Sequence, residues 1–100
     1  MPNLNDVLYI APGVISRESE GELVVVLPER GKFFVLNGTG ADVFRSVDDQ
    51  LSLAEIAAAL SERYGVPLEQ TQADVLAFAQ KLLERGAASV QAEQREAERG

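Results

Sequence analysis

The chain has 100 residues, 46% of them apolar, which predicts one small domain with an adequate core. It contains neither Cys nor His, so disulfides, Ser-His and Cys-His nucleophilic pairs and the usual zinc sites are excluded. Its 16 acidic and 9 basic side chains give a formal net charge of −7, which argues against binding nucleic acid or an anionic membrane surface.

The first part of the sequence is predicted to form a sheet. Predicted strands cover residues 13–18, 22–27 and 32–36, and turn clusters at residues 19–21 and 28–31 separate them. The middle strand is apolar on both faces, which predicts a central position covered on both sides, and the third strand is free to lie at an edge. An apolar patch at residues 7–10 is too short to assign to strand or helix, and we expect it to pack on the sheet.

Three helices are predicted to follow the sheet. The first begins near Thr39, which with Asp42 approximates a capping box. The second begins at Ser52, which forms the S-x-x-E capping box with Glu55. Gly65 is expected to end this second helix as a left-handed residue beyond its C-terminus.

The third predicted helix has Pro67 in its first turn and runs to about Arg85. Its core face on a helical wheel comprises Leu68, Val75, Ala79, Leu82 and Leu83. Phe78 lies at the margin of that face, on a flank that it shares with Asp74, Lys81 and Arg85 at spacings of three or four residues. A short strand at residues 88–90 is predicted next, and a charged, flexible tail at residues 91–100 follows it.

The order of these elements predicts an α+β fold, in which a three-stranded antiparallel sheet precedes three helices as in a winged helix-turn-helix domain. Domains of that class usually bind DNA through their last helix. Here that helix carries Glu69, Asp74 and Glu84 against Lys81 and Arg85. This charge balance is wrong for a duplex, so a winged-helix transcriptional regulator stays only as an alternative function.

The third predicted strand carries a candidate peptide-binding site. Phe34 and Leu36 point to one face of the sheet, and Phe33 and Val35 point to the other. The helices cover one face; either the N-terminal apolar patch covers the other, or the strand borders a groove. An edge strand beside an aromatic margin suits β-strand addition, in which a peptide pairs its main chain and buries alternate side chains.

The pattern GELVVVLPERGKFFVLNGTGADVF, followed by LAEIAAALSERYGVP and ADVLAFAQKLLERGA, resembles the PqqD-like family. These are recognition elements for precursor peptides of ribosomally synthesised, post-translationally modified peptides (RiPPs). The resemblance covers residues 14–90 and implies that residues 1–90 form a non-catalytic domain without metal or cofactor. It implies that a precursor's leader segment adds as a strand beside the third strand and faces the third helix. The implied peptide-binding residues are Lys32, Phe33, Phe34, Val35, Leu36, Asp74, Phe78, Lys81 and Arg85.

The resemblance implies two pathways for such an adaptor. The pattern is closer to the free-standing members of lasso-peptide systems, in which the domain presents the leader to a leader peptidase. The alternative is pyrroloquinoline quinone biosynthesis, in which the domain delivers the precursor to a radical SAM enzyme. No apolar run reaches the roughly 18 residues of a membrane span and the N-terminus lacks a signal peptide, so a cytoplasmic protein without membrane or nucleic-acid partners is expected.

Overall fold

The computed structural model describes residues 2–90 of the chain. The tail predicted at residues 91–100 lies outside the described residues. Within them the elements follow in the order β1 (Leu8–Ile10), β2 (Ile15–Ser19), β3 (Glu22–Leu27), β4 (Lys32–Leu36), α1 (Gly38–Asp48), α2 (Leu53–Tyr64), α3 (Leu68–Glu84) and β5 (Ala88–Val90). This is the predicted α+β order, including the short strand at residues 88–90, with one further short strand, β1, before the sheet.

The strands β2, β3 and β4 form a three-stranded antiparallel sheet in that spatial order. The tight connection from β3 to β4 depends on Gly31, whose φ of 62° lies in the left-handed region that glycine adopts without strain. In the middle of β3, Val25 lies opposite Ser16 of β2 and Phe34 of β4. Within residues 2–90 no strand lies on the other side of β4, so its predicted edge position is confirmed.

The two faces of this sheet differ in exposure. Val25 is fully buried in the core. On the opposite face, Phe33 is 69% exposed and Val35 is 46% exposed. The prediction that β3 is covered on both sides is therefore wrong: its outward residues Val24 and Val26 stay partly exposed, because the helices pack against one face only.

The N-terminal apolar patch does not cover the outer face of this sheet. Its strand β1 pairs antiparallel with β5, which places Leu8 opposite Val90. Leu8 is fully buried, and Val7 forms a bridge with Ser52 just before α2. The expectation that the patch packs on the sheet is wrong, because its partner strand lies at the far end of the described chain and no local pattern specifies it. The predicted strand at residues 88–90 is confirmed as β5.

Helix α1 begins earlier than its sequence pattern indicates. Its first residue is Gly38, so Asn37 occupies the N-cap position and makes no side-chain capping bond. The predicted capping box of Thr39 and Asp42 is wrong, because the helix follows almost directly on β4 and Thr39 already lies within its first turn. Asp42 instead pairs with Arg45 of the same helix at 3.2 Å.

Helix α2 has the predicted cap at each end. The N–H of Glu55 donates to Ser52 Oγ over 3.1 Å, and the N–H of Ser52 donates to Glu55 Oε1 over 2.9 Å. At the other end Gly65 has a φ of 66°, and its N–H donates to the carbonyl of Ser61. Both predictions for α2 are confirmed, since each depends on residues within one helical turn.

Replacing Ser52 by alanine removes the hydroxyl that accepts the Glu55 N–H. We expect the free energy of unfolding to fall by about 1 kcal/mol, since that N–H loses its side-chain acceptor. Urea unfolding of S52A measures the effect, and Glu62→Gln at an exposed position of the same helix is the matched control, expected to leave stability unchanged. Equal stability of S52A and the wild-type protein would contradict the role of the cap.

Helix α3 begins at Leu68 and ends at Glu84, so Pro67 occupies the N-cap position and not the predicted place in the first turn. Its buried residues are Thr71, Val75, Ala79 and Leu82, which confirms most of the predicted core face. Leu68 is 46% exposed, so its predicted core position is wrong. Thr71 is buried in that turn instead, with its hydroxyl donating to the Pro67 carbonyl over 3.1 Å. A helical wheel gives the direction of a side chain but not whether another element lies opposite it.

The core is one cluster that joins the inner face of the sheet, the three helices and the β1–β5 pair. Its largest fully buried side chains are Leu8, Val25, Val43, Val47, Leu53, Ile56, Val75 and Leu82. Every element except β2 contributes to this cluster or packs directly against it. Along residues 2–90 no helix has both the length and the apolar character needed to cross a bilayer.

Candidate functional site

A groove runs between β4 and α3. It consists of two depressions with volumes of about 390 and about 220 Å³. The larger lies at the hairpin end and is lined by Arg30, Lys32 and Glu84 among others. The smaller lies toward α1 and is lined by Leu36, Phe78 and Lys81 among others. Phe34 and Arg85 line both depressions, so the two depressions adjoin each other.

Phe78 forms the apolar end of this groove. A Cβ atom on Gly40, in the first turn of α1, would lie 3.4 Å from Phe78 Cε1 and 3.7 Å from Leu36 Cδ2. The half-buried ring of Phe78 therefore packs on the backbone of α1 beside the end of β4. Its remaining exposed surface borders the smaller depression, where it can contact an apolar side chain of a bound peptide.

Two arginines shape the middle and the hairpin end of the groove. The guanidinium of Arg85 lies over the ring of Phe34, 5.7 Å from its centroid, which is a cation–π distance. The guanidinium of Arg30 packs over Gly86 so closely that a Cβ atom there would lie 2.6 Å from it. Residues from the β3–β4 turn and from the end of α3 are thereby brought together at one mouth of the groove.

The free edge of β4 borders the groove along its whole length. In an antiparallel ladder, backbone N–H and C=O groups alternate between the two sides of a strand. β3 takes one side of β4, so the groups on the other side are available to an added strand. The groove thus combines main-chain hydrogen-bonding groups with an apolar pocket and charged side chains.

The structure brings together all but one of the sequence-predicted site residues. Lys32, Phe33, Phe34, Val35, Leu36, Phe78, Lys81 and Arg85 line the two depressions. Asp74 instead lines a separate depression of about 50 Å³ with Thr39 and Tyr64. Phe33 and Val35 belong to the outer face of the sheet, so they border the groove mainly through the strand that carries them.

Sequence reasoning missed two charged residues of the groove. Arg30 belongs to the turn between β3 and β4, and Glu84 lies in the last turn of α3. Glu84 stands three residues after Lys81 and next to Arg85, a spacing that could have indicated it. Nothing in the local sequence indicates Arg30, because its position depends on how the turn packs against Gly86.

A polar network lies beside the Asp74 depression. The Tyr64 hydroxyl donates to the Asp42 carboxylate, and this hydrogen bond raises the pKa of Tyr64 above its ordinary value. Asp42 also pairs with Arg45 at 3.2 Å and Arg63 at 3.7 Å, and Arg45 forms a further ion pair with Glu18 of β2. Exposed pairs of this kind contribute little stability each, but together they connect β2, α1 and α2.

Comparison with known protein families finds a match over most of the chain. The profile of the family described as "Coenzyme PQQ synthesis protein D (PqqD)" matches residues 22–87. This span begins at β3 and ends just before β5, so it contains β4, α3 and the groove between them. No curated protein matches the sequence significantly.

Three solved structures have a similar fold. TbiB1 in complex with the TbiA(beta) leader peptide is 21% identical, with a TM-score of 0.77, over 81% of this chain and 94% of that chain. Lasso peptide synthetase B1 complexed with the leader peptide is 24% identical, with a TM-score of 0.78, over 83% and 98%. The PqqD truncation of Methylobacterium extorquens PqqCD is 25% identical, with a TM-score of 0.73, over 87% and 93%. These matches show a common fold across nearly the whole described chain.

Proposed function

Because the chain belongs to the PqqD family, whose profile matches residues 22–87, we propose that it is a non-catalytic adaptor that binds the leader segment of a RiPP precursor. The leader adds as a strand to the free edge of β4 and lies in the groove facing α3. The single observation that carries this proposal is that groove, whose two adjoining depressions follow the unpaired edge of β4.

The groove suits a peptide better than a small molecule. An added strand hydrogen-bonds to the outward N–H and C=O groups of β4 whatever side chains the peptide carries. These main-chain hydrogen bonds supply affinity. The depression beside Phe78 and Leu36 receives an apolar side chain and supplies selectivity. Most of this surface is already in place, which limits the ordering cost of binding.

The pathway we favour is lasso-peptide biosynthesis. Two solved proteins of the same fold, TbiB1 and lasso peptide synthetase B1, each have a leader peptide bound. In this pathway residues 1–90 act as the recognition domain and present the precursor to a leader peptidase in the cytoplasm. Holding the precursor and the enzyme in one complex raises their effective concentration, so the adaptor accelerates maturation without chemistry of its own.

Pyrroloquinoline quinone biosynthesis is the second candidate, and the description of the matching family favours it. The M. extorquens protein of that family is described as a functional and stand-alone RiPP recognition element. In this alternative the same groove holds the quinone precursor and delivers it to a radical SAM enzyme. The two candidates share the binding mode and differ in the peptide and the enzyme that receives it.

Fluorescence anisotropy with labelled peptides tests the proposal. The probes are a panel of lasso-type leaders that includes the TbiA(beta) leader, a quinone-type precursor, and duplex DNA, each titrated at two salt concentrations. We expect saturable binding of a lasso-type leader. Proline at a residue of its pairing segment whose N–H faces β4 should abolish binding, since it removes a main-chain donor to that strand, whereas proline outside the segment is the matched control and should leave affinity unchanged.

Each other outcome of this titration has a definite meaning. Preference for the quinone-type precursor would assign the adaptor to pyrroloquinoline quinone biosynthesis instead. Binding of DNA that weakens with salt, without binding of any peptide, would overturn the proposal in favour of a transcriptional regulator. Peptide binding that survives proline at every position of the segment would overturn strand addition.

A further inference from the structure

The groove is positively charged, most of all at its hairpin end, although the chain carries a net charge of −7. Arg30, Lys32 and Arg85 line the hairpin end, and Lys81 lines the adjoining depression. Within the part of the chain that the structure describes, none of these four side chains belongs to an ion pair. Glu84, the acidic residue of the same lining, accepts a hydrogen bond from Gln80 Nε2 at 3.1 Å; its carboxylate offsets one of the four positive charges, so the lining keeps a net positive charge.

The dipole of α3 explains the presence of only two of these four cations. Lys81 and Arg85 lie at the C-terminal end of α3, where the helix dipole favours cations. The negative end of that dipole is equivalent to about half an elementary charge, and with the Glu84 carboxylate it does not neutralise the four cations. Lys32 is an exposed residue of β4 and does not belong to α3. The α3 dipole therefore does not explain its presence at the groove. The groove therefore presents an uncompensated positive charge to whatever it binds.

Asp74 does not belong to the lining of the groove. At the α1 end, beyond Phe78, the exposed Asp74 lines the small depression beside Thr39. Among residues 2–90 Asp74 has no ion-pair partner. A peptide that runs along the groove from the α1 end thus meets the apolar depression beside Phe78 first and the cations of the hairpin end afterwards.

We propose that the leader segment carries an aspartate or glutamate on the C-terminal side of the residue that packs on Phe78, and that its carboxylate binds the cations of the hairpin end. The inference rests on the proposed function. Its direction follows from the sheet: β4 runs from Lys32 at the cationic end to Leu36 beside Phe78. An antiparallel strand, which continues the alternation of β2, β3 and β4, runs the opposite way.

The geometry also limits the spacing between the two peptide residues. Phe78 and Arg85 stand seven residues apart on α3, which corresponds to about 10 Å along the helix axis. An extended peptide covers that distance in about three residues. Side chains on one face of a strand recur at every second residue, so the carboxylate should follow the apolar anchor by about two or four residues and not by three.

Selection of peptides from a random display library tests this inference whatever the sequence of the natural leader. Wild-type protein and the Lys81→Glu/Arg85→Glu double variant are the two baits. We expect wild type to enrich peptides with an apolar or aromatic residue followed by an acidic residue at the second or fourth position. The double variant should enrich Lys or Arg there. Arg17→Glu, the same charge change at an exposed residue of β2, should select like wild type.

Synthetic peptides from the wild-type selection, amidated at the C-terminus, then give the size of the effect. Changing the selected acidic residue to its amide should weaken binding to wild type about fivefold, and added salt should abolish the difference. Amidation excludes a terminal carboxylate as the group bound. Circular dichroism of both baits verifies that the charge reversals leave the fold intact, and Arg85→Gln gives a milder change for the same comparison.

The outcomes separate this inference from the proposed function. Selected peptides whose binding needs the Phe78 side chain but shows no acidic preference would overturn the inference and leave leader binding in place. Acidic residues enriched on the N-terminal side of the anchor would overturn the antiparallel direction. Enrichment of no peptide, or of peptides that bind Phe78→Ala as well as wild type, would overturn both.

Discussion

Replacing Val75 by aspartate should unfold the domain. Val75 is fully buried in α3 and belongs to the cluster that joins the helices to the sheet. Within residues 2–90 no basic side chain is buried in this core to pair with a new carboxylate. An unpaired buried carboxylate, or its protonated form without a hydrogen-bond partner, costs several kcal/mol, which is comparable to the whole stability of about 5 to 15 kcal/mol of a small domain.

Circular dichroism and thermal melting measure the effect. Val75→Asp should already be unfolded at room temperature and should therefore show no cooperative melting transition on heating. Ala77→Asp introduces the same charge two residues away at an exposed position of α3, so it is the matched control and should keep a cooperative melting transition, lowered only slightly by the poorer helix propensity of aspartate. A folded Val75→Asp protein with an unchanged melting temperature would contradict the assignment of this helix face to the core.

Replacing Phe78 by alanine should lower leader affinity by about 10- to 100-fold while the domain stays folded. Such a loss corresponds to about 1.4 to 2.7 kcal/mol, the range of an aromatic anchor at the centre of an interface. Phe78 is only half-buried and borders the groove, so its ring is available to a bound peptide. The ring also packs beside Gly40 and Leu36, and its loss should lower stability by about 1 to 2 kcal/mol.

Anisotropy with a peptide that binds the wild-type protein measures this effect. Leu68→Ala is the matched control, because Leu68 is an apolar residue of the same helix that is 46% exposed and lies outside the groove lining. Its affinity for the peptide should equal that of wild type. If Phe78→Ala also bound with unchanged affinity, Phe78 would not belong to the peptide site.

The Val75 and Phe78 variants together separate the fold from the site. The two residues stand on neighbouring flanks of one helix, three positions apart, yet one is fully buried and the other borders the groove. Helical periodicity predicted both assignments, because the angle between two side chains on a helix is set by their spacing. The depth to which each is buried depends on the element packed opposite.

The predictions that were confirmed depend on contacts between close neighbours in sequence. The capping box of Ser52 and Glu55, the left-handed Gly65 and the bounds of β3 and β4 all follow from residues within about one turn or one hairpin. The alternation of Phe33 and Phe34 between the two faces of β4 follows in the same way from the pleat of a strand. Each of these features is set by backbone geometry that a few adjacent residues determine.

The predictions that were wrong depend on which surfaces meet across the molecule. The apolar patch around Leu8 was expected on the three-stranded sheet but pairs with β5 at the other end of the described chain. That pairing leaves Phe33 and Val35 exposed on the outer face. An apolar residue gains similar free energy from burial against either partner, so hydrophobicity alone could not decide between them.

The sequence by itself determined the order of the elements, the inward and outward directions of their side chains, and the flank of α3 that carries Phe78, Lys81 and Arg85. Only the tertiary structure decided that this flank lies against β4, that Arg30 joins it by packing over Gly86, and that Asp74 lies apart in its own depression. The physical reason is the range of the interactions. Local hydrogen bonds and periodicity act over a few residues, whereas a groove exists only after distant segments have packed together.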